Sequence, residues 1–84
     1  MDANELRSLS VAQEVDARGT ACPGPLLEAK RNIAECPVDG VMEILSSDEG
    51  TKIDITRWCG KMKYDYLGDL EDDSFWRIYL RKTH

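Results

Sequence analysis

A cysteine flanked by prolines at the start of a helical segment constrains this chain more than any other feature. Cys22-Pro23-Gly24-Pro25 runs directly into residues 26–34, whose apolar side chains recur at helical spacing. Proline is tolerated in the first turn of a helix because its missing N–H would have no partner there. The pattern therefore predicts that Pro23 is the first helical residue and that Cys22 is the N-cap.

This position favours a reactive thiol. A sulfur at a helix start lies in the positive end of the helix dipole, beside the free N–H groups predicted for Gly24 and Leu26, and this environment lowers a thiol pKa. Cysteine also caps a helix less well than Ser, Thr, Asp or Asn, so its use here costs helix stability. The alternative is an ordinary helix start with a buried cysteine. We expect Cys22 to act as a nucleophile.

Three blocks of the sequence resemble, in order, the blocks of one known family. They are residues 15–19 with the Cys-Pro-x-Pro motif two residues later, residues 47–55 with Trp58-Cys59, and residues 75–82. Over about residues 13–82 the chain resembles the TusA family of sulfur-carrier proteins, also called the SirA or YedF family. Two positions depart from the family pattern: Ala21 stands where many members carry Arg, and Cys36 has no counterpart.

The resemblance implies a sulfur relay. Cys22 would accept sulfane sulfur as a persulfide from a donor protein, by the chemistry of disulfide exchange, and pass it to an acceptor protein. Donors would be of the cysteine desulfurase or rhodanese type, and acceptors of the DsrE type, in tRNA thiolation, cofactor synthesis or dissimilatory sulfur metabolism. Two other classes stay open: a regulatory interaction module with a structural cysteine, and a thiol reductase that uses Cys22 and Cys59.

The hydrophobic pattern predicts the element order β-α-β-α-β-β. The elements are a strand at Val15 and Ala17, a helix over 23–36, a strand over 41–46, a helix from about 48 to 62, and strands over 64–67 and 75–81. Packing rules predict an α/β two-layer sandwich, with both helices on one face of a mixed four-stranded sheet. Residues 1–12 are polar and mixed, which predicts a flexible N-terminal arm before a single domain over 13–84.

Several residues beside the motif are expected to shape it. Asp16 and Arg18 lie on the strand that leads into the Cys22 turn and are expected to hold it by a salt bridge or backbone contacts. Gly19 is expected to permit a tight bend. Gly24, between the two prolines, is expected to leave the backbone open beside the sulfur.

The remaining thiols are weaker candidates. Cys59 lies on the apolar stripe of the second predicted helix, which favours packing over a role as a second reactive thiol. Cys36 falls at a helix C-terminus, where the negative end of the dipole raises a thiol pKa. Because the cysteines and His84 contain no Cys-x-x-Cys pair, we expect neither a metal site nor a cofactor.

Four basic residues are candidates for partner docking. Lys30 and Arg31 lie on the first predicted helix, and Arg57 and Lys61 are one turn apart on the second. If they share a face near the start of the first helix, they form a basic docking surface around Cys22. Ordinary solvation of four surface charges is the alternative.

Composition excludes some classes of partner. The 84 residues carry a formal net charge of −5, with a pI of about 4.7, which disfavours direct nucleic acid binding. No apolar stretch approaches the roughly 20 residues of a membrane span, and no apolar signal segment stands at the N-terminus. With three cysteines, an odd number, these features predict a reducing, cytoplasmic setting, protein partners and a monomer.

Overall fold

The computed structural model describes residues 2–21 and 23–84, so Met1 and Cys22 lie outside the described residues. The elements are α1 (Ala3–Arg7), β1 (Val11–Asp16), α2 (Gly24–Asn32) with a 3-10 turn (Ile33–Glu35), β2 (Val41–Ser46), α3 (Gly50–Met62), β3 (Asp65–Asp72) and β4 (Phe75–Arg81). The strand order is β1-β2-β4-β3, in which β1 and β2 are parallel and the other neighbours are antiparallel. The predicted mixed four-stranded α/β fold is confirmed, and β3 extends beyond its predicted end.

One face of the sheet packs against α2 and α3 and forms the main core. Successive side chains of a strand point to opposite faces, so alternate apolar residues of β2 and β4 turn toward the two helices. The core residues without exposed surface are Ala29, Met42, Ile44, Ile55, Ile78 and Leu80. Because α2 and α3 both contribute to this one cluster, they cover the same face, as predicted.

The other face, the outer face, carries a third helix that the sequence reading missed. The Asp2 carboxylate caps α1 by accepting a backbone N–H at 2.9 Å. Leu6 of α1 is only 2% exposed and packs in a second cluster with Val41 and Tyr79. Within residues 1–12, α1 spans Ala3–Arg7 and β1 begins at Val11, so this segment holds elements that the sequence did not predict, and its flexibility stays a prediction. Leu6 and the partly buried Leu9 pack this segment against the outer face.

The topology gathers several chain segments at one end of the sheet. β1, β2 and β3 run in the same direction, so the segments that follow them lie at the same end. They are residues 17–21 before α2, residues 47–49 before α3, and the turn of the β3–β4 hairpin at 73–74. In the sequence, the Cys-Pro-x-Pro motif follows the first of these segments.

Candidate functional site

The described residues around the motif show where α2 begins. The Pro23 carbonyl accepts the first helical hydrogen bond from the N–H of Leu27 at 3.0 Å, so Pro23 is the N-cap. Pro25 lies in the first turn. The predictions that Pro23 is the first helical residue and that Cys22 is the N-cap are corrected, because the cap falls one residue later. Cys22 lies outside the described residues, and its reactivity stays a prediction.

The start of α2 offers fewer backbone donors than expected. Pro23 and Pro25 have no N–H. The Gly24 N–H donates to the Ala21 carbonyl at 2.7 Å, so it is not free, contrary to the prediction. Of the two amides expected to face the thiol, that of Leu26 remains a candidate.

Close packing at position 24 requires a glycine. A Cβ at this position would clash with Cγ2 of Thr20 and would lie 3.2 Å from its Cβ. The side chain of Thr20 therefore fills the space on the Cβ side of Gly24, and the expected opening beside the sulfur stays a prediction. Glycine lets the loop before the motif pack directly on the first turn of α2.

Asp16 and Arg18 form the expected salt bridge and hold the loop that follows β1. Nε and Nη2 of Arg18 donate to the two carboxylate oxygens of Asp16 at 2.9 and 2.7 Å, and the Arg18 N–H donates at 3.2 Å. These hydrogen bonds lower the pKa of Asp16 from 3.8 to about 2. The Arg18 guanidinium also lies 4.7 Å from the ring centroid of Phe75, which joins the loop to β4. Phe75 was missed, because only the fold brings it to Arg18.

Gly19 bends the chain just before the motif. Its φ of +82° lies in the left-handed region that favours glycine, as the expected tight bend requires. Its N–H donates to Oγ of Ser47 at 3.2 Å, which ties this loop to the loop before α3. An open cleft of about 370 Å³ lies between the two loops and is lined by Gly19, Thr20, Ala21, Ser47, Asp48 and Glu49. The cleft is acidic on the side of α3.

A groove between α2 and α3 brings together three of the four predicted docking residues. We call it the basic groove, and it is lined by Leu26, Lys30, Asp54, Arg57, Trp58 and Lys61. Arg31 is absent from this lining: its Nη1 lies 3.0 Å from the Glu28 carboxylate, and its side chain is 73% exposed. The predicted surface therefore consists of Lys30, Arg57 and Lys61, without Arg31.

The other two thiols are buried. Cys59 is 1% exposed, and burial, with a smaller contribution from Asp65, raises its pKa to about 12. Cys36 is 2% exposed, and burial raises the pKa of its thiol. The sequence predicted this direction but attributed it to the helix dipole. Both thiols are therefore protonated at neutral pH and are poor nucleophiles.

The described part of the chain holds neither a cluster of metal ligands nor a membrane-spanning helix. There, no three His, Cys, Asp or Glu side chains are grouped as metal ligands would be. Among the same residues, no helix is long and apolar enough to cross a membrane.

Comparison with known proteins identifies the family. The family model described as Sulfurtransferase TusA matches residues 13–82. The chain belongs to the TusA family. A "Putative sulfur carrier protein" of Archaeoglobus fulgidus is 40% identical over 68 residues, which cover 81% of this chain and 93% of that protein. The sulfur carrier protein TusA of Pseudomonas syringae pv. syringae is 23% identical over 77 residues, 92% of each chain.

A solved structure shares the TusA-like fold. The crystal structure of a SirA-like protein from Desulfitobacterium hafniense superposes with a TM-score of 0.73 and covers 86% of this chain and 99% of that one. At 23% identity it shows the fold alone. Family membership and the relatives' names support a sulfur-carrier role, and the TusA family implies protein partners in a sulfur relay.

Proposed function

We propose that this protein accepts sulfane sulfur as a persulfide on Cys22 from a donor protein and passes it to an acceptor protein. The observation that most supports this proposal is the burial of Cys36 and Cys59, whose raised pKa values make them poor carriers. Cys22 is the remaining thiol, and it directly precedes the N-cap of α2 in the sequence.

The transfer is a balanced exchange between two sulfur atoms. The Cys22 thiolate attacks the outer sulfur of the donor persulfide and forms a new S–S bond with it. The donor S–S bond breaks, and its electron pair leaves with the inner donor sulfur as a thiolate. The transferred sulfur keeps its proton and its oxidation state. The acceptor thiolate then repeats the step, and Cys22 leaves as a thiolate.

The start of α2 favours the charge that this exchange needs. The positive end of a helix dipole stabilises a nearby thiolate, both as the attacking group and as the leaving group. Asp16, Arg18 and Gly19 fix the loop that leads to Cys22, and Gly24 packs against it. These residues are positioning residues in the proposal, because none of them has to react.

The proposal also covers the partners and their setting. Donors of the cysteine desulfurase or rhodanese type and acceptors of the DsrE type fit the exchange, because it needs a persulfide or a thiolate on a protein partner. We expect a monomer in the cytoplasm, where free thiols stay reduced. The thiol reductase alternative would need Cys59 to react, and its burial and its pKa of about 12 weigh against that role.

Peptide mapping tests the proposal. After incubation with a persulfide-bearing donor, the intact chain should gain the mass of one sulfur atom, and mapping should place it on Cys22. Cys36→Ala and Cys59→Ala are matched controls that should still load, whereas Cys22→Ser should not. Added sulfur mainly on Cys36 or Cys59 would overturn the assignment. Partner binding that Cys22→Ser leaves intact, without any loading, would favour the regulatory module.

A further inference from the structure

The basic groove carries positive charge that the described part of the chain leaves unpaired. Within the described residues, no carboxylate lies within 4.0 Å of the charged nitrogens of Lys30, Arg57 or Lys61, whereas Arg18, Arg31, Lys52 and Arg77 all have such partners. Asp54 is the one carboxylate among the lining residues. A local excess of cations on a chain with a net charge of −5 indicates a surface that attracts an anionic partner.

The groove has an apolar floor between these cations. Trp58 and Leu26 supply this apolar lining, and the Trp58 ring lies nearly perpendicular to the Tyr64 ring, at 5.5 Å between centroids. The groove continues past Lys30, Trp58 and Lys61 into a second hollow that adds Ile33, Met62 and Tyr64. An apolar side chain can therefore lie over Trp58 while charged neighbours reach the rim.

The dimensions fit a short peptide segment. The lining of α3 runs from Asp54 to Met62, and at a rise of about 1.5 Å per residue this stretch is about 12 Å long. An extended chain covers about 3.3 Å per residue, so about four residues fill the groove. Leu26, in the first turn of α2, lies at the end where the motif begins.

We propose that the basic groove binds a short acidic segment of the partner protein. Its carboxylates would pair with Lys30, Arg57 and Lys61, and an apolar side chain would cover Trp58. The inference rests on the proposed function, because it gives the donor or the acceptor a place beside the start of α2. A nucleic acid is disfavoured, because the chain has a net charge of −5 and Asp48 and Glu49 line a cleft at the same end of the sheet.

The test is an NMR titration of the ¹⁵N-labelled full chain. The probes are a short capped peptide of alternating glutamate and leucine, its lysine–leucine counterpart, and a single-stranded RNA oligonucleotide. The glutamate peptide should shift the Trp58 indole signal and the amides of Lys30, Arg57 and Lys61, and the shifts should weaken with salt. The indole of Trp76 is an internal reference, because Lys52 covers that ring at 3.7 Å, outside the groove.

Matched variants locate the binding. Arg57→Gln combined with Lys61→Gln should weaken the peptide roughly tenfold, since each exposed pair contributes up to about 1 kcal/mol. Arg31→Gln, which removes a charge from α2 outside the groove lining, should leave the affinity unchanged. Equal weakening by both variants, no shift at Trp58, or a larger response to the RNA would each overturn the proposal.

The titration is independent of sulfur transfer. If Cys22 fails to load while the glutamate peptide still binds the groove, the proposed function falls and the groove stands. If Cys22 loads and the peptide does not bind, the groove proposal falls and the carrier function stands.

Discussion

Arg77 on the outer face and the basic groove on the helices differ in how their cations are paired. On the outer face, Arg77 lies between two carboxylates, 3.2 Å from Glu43 and 2.7 Å from Asp72. On the helix side, Arg31 and Lys52 are paired, but within the described residues the three cations of the basic groove have no such partner. Paired cations hold the fold together, whereas unpaired ones remain available to a partner. Removing a paired cation such as Arg77 should lower stability, and removing a cation of the basic groove should weaken the binding of an acidic partner segment.

The largest expected effect is a loss of stability from a substitution on the outer face. Leu6→Ala should lower the free energy of unfolding by about 2 kcal/mol or more, because it removes a buried side chain that packs on Val41 and Tyr79. Leu27→Ala is the matched control on the helix side: Leu27 is 51% exposed, and the change should stay within about 0.5 kcal/mol. Urea unfolding measures both. Equally small effects would mean that α1 does not hold to the sheet.

A smaller effect compares one cation from each face. Arg77→Gln should cost about 1 to 2 kcal/mol, because it deprives the nearly buried Glu43 carboxylate, 8% exposed, of its ion pair. Arg57→Gln should change the free energy of unfolding by less than about 0.5 kcal/mol. Urea unfolding of the two variants side by side gives the comparison. The reverse order of stabilities would contradict the division between structural and available cations.

The smallest expected effect is the loss of one stabilising ion pair at low pH. Arg18 lowers the pKa of Asp16 to about 2, so this pair stabilises the folded state above the ordinary value of 3.8, and its contribution is lost as the pH falls through about 2. An NMR titration of the Asp16 carboxyl should show the low pKa in the native chain, and Arg18→Gln should return it toward 3.8. Lys61→Gln, in the groove, should leave that titration unchanged. An ordinary Asp16 pKa in the native chain would contradict the pairing.

Much of the fold could be predicted because its signals are local. The alternation of β4 and the helical spacing of α3 appear in short windows of sequence, and both elements lie close to their predicted bounds. The short helix α1 could not be predicted, since its buried Leu6 finds its apolar contacts only on distant strands. The N-cap at Pro23 in place of Cys22 could not be predicted for a different reason, because prolines at positions 23 and 25 are compatible with either start.

The candidate site also combines contacts that are local in the sequence with contacts that depend on the fold. The Asp16–Arg18 pair is two residues apart and could be predicted, whereas the contact of Arg18 with Phe75 depends on the fold. Arg57 and Lys61 are one helical turn apart, and their shared surface followed from that spacing. Arg31 was grouped with them because its pairing with Glu28, three residues before it, was overlooked.

Cyanide treatment tests the central claim, that Cys22 carries sulfane sulfur, most directly. Cyanide takes the outer sulfur of a persulfide as thiocyanate and leaves a thiol, so the yield counts loaded carriers. After loading by a persulfide donor and removal of that donor, the native chain and the Cys36→Ala/Cys59→Ala variant should each release one thiocyanate per chain. Cys22→Ser should release none. An equal yield from Cys22→Ser would contradict the account.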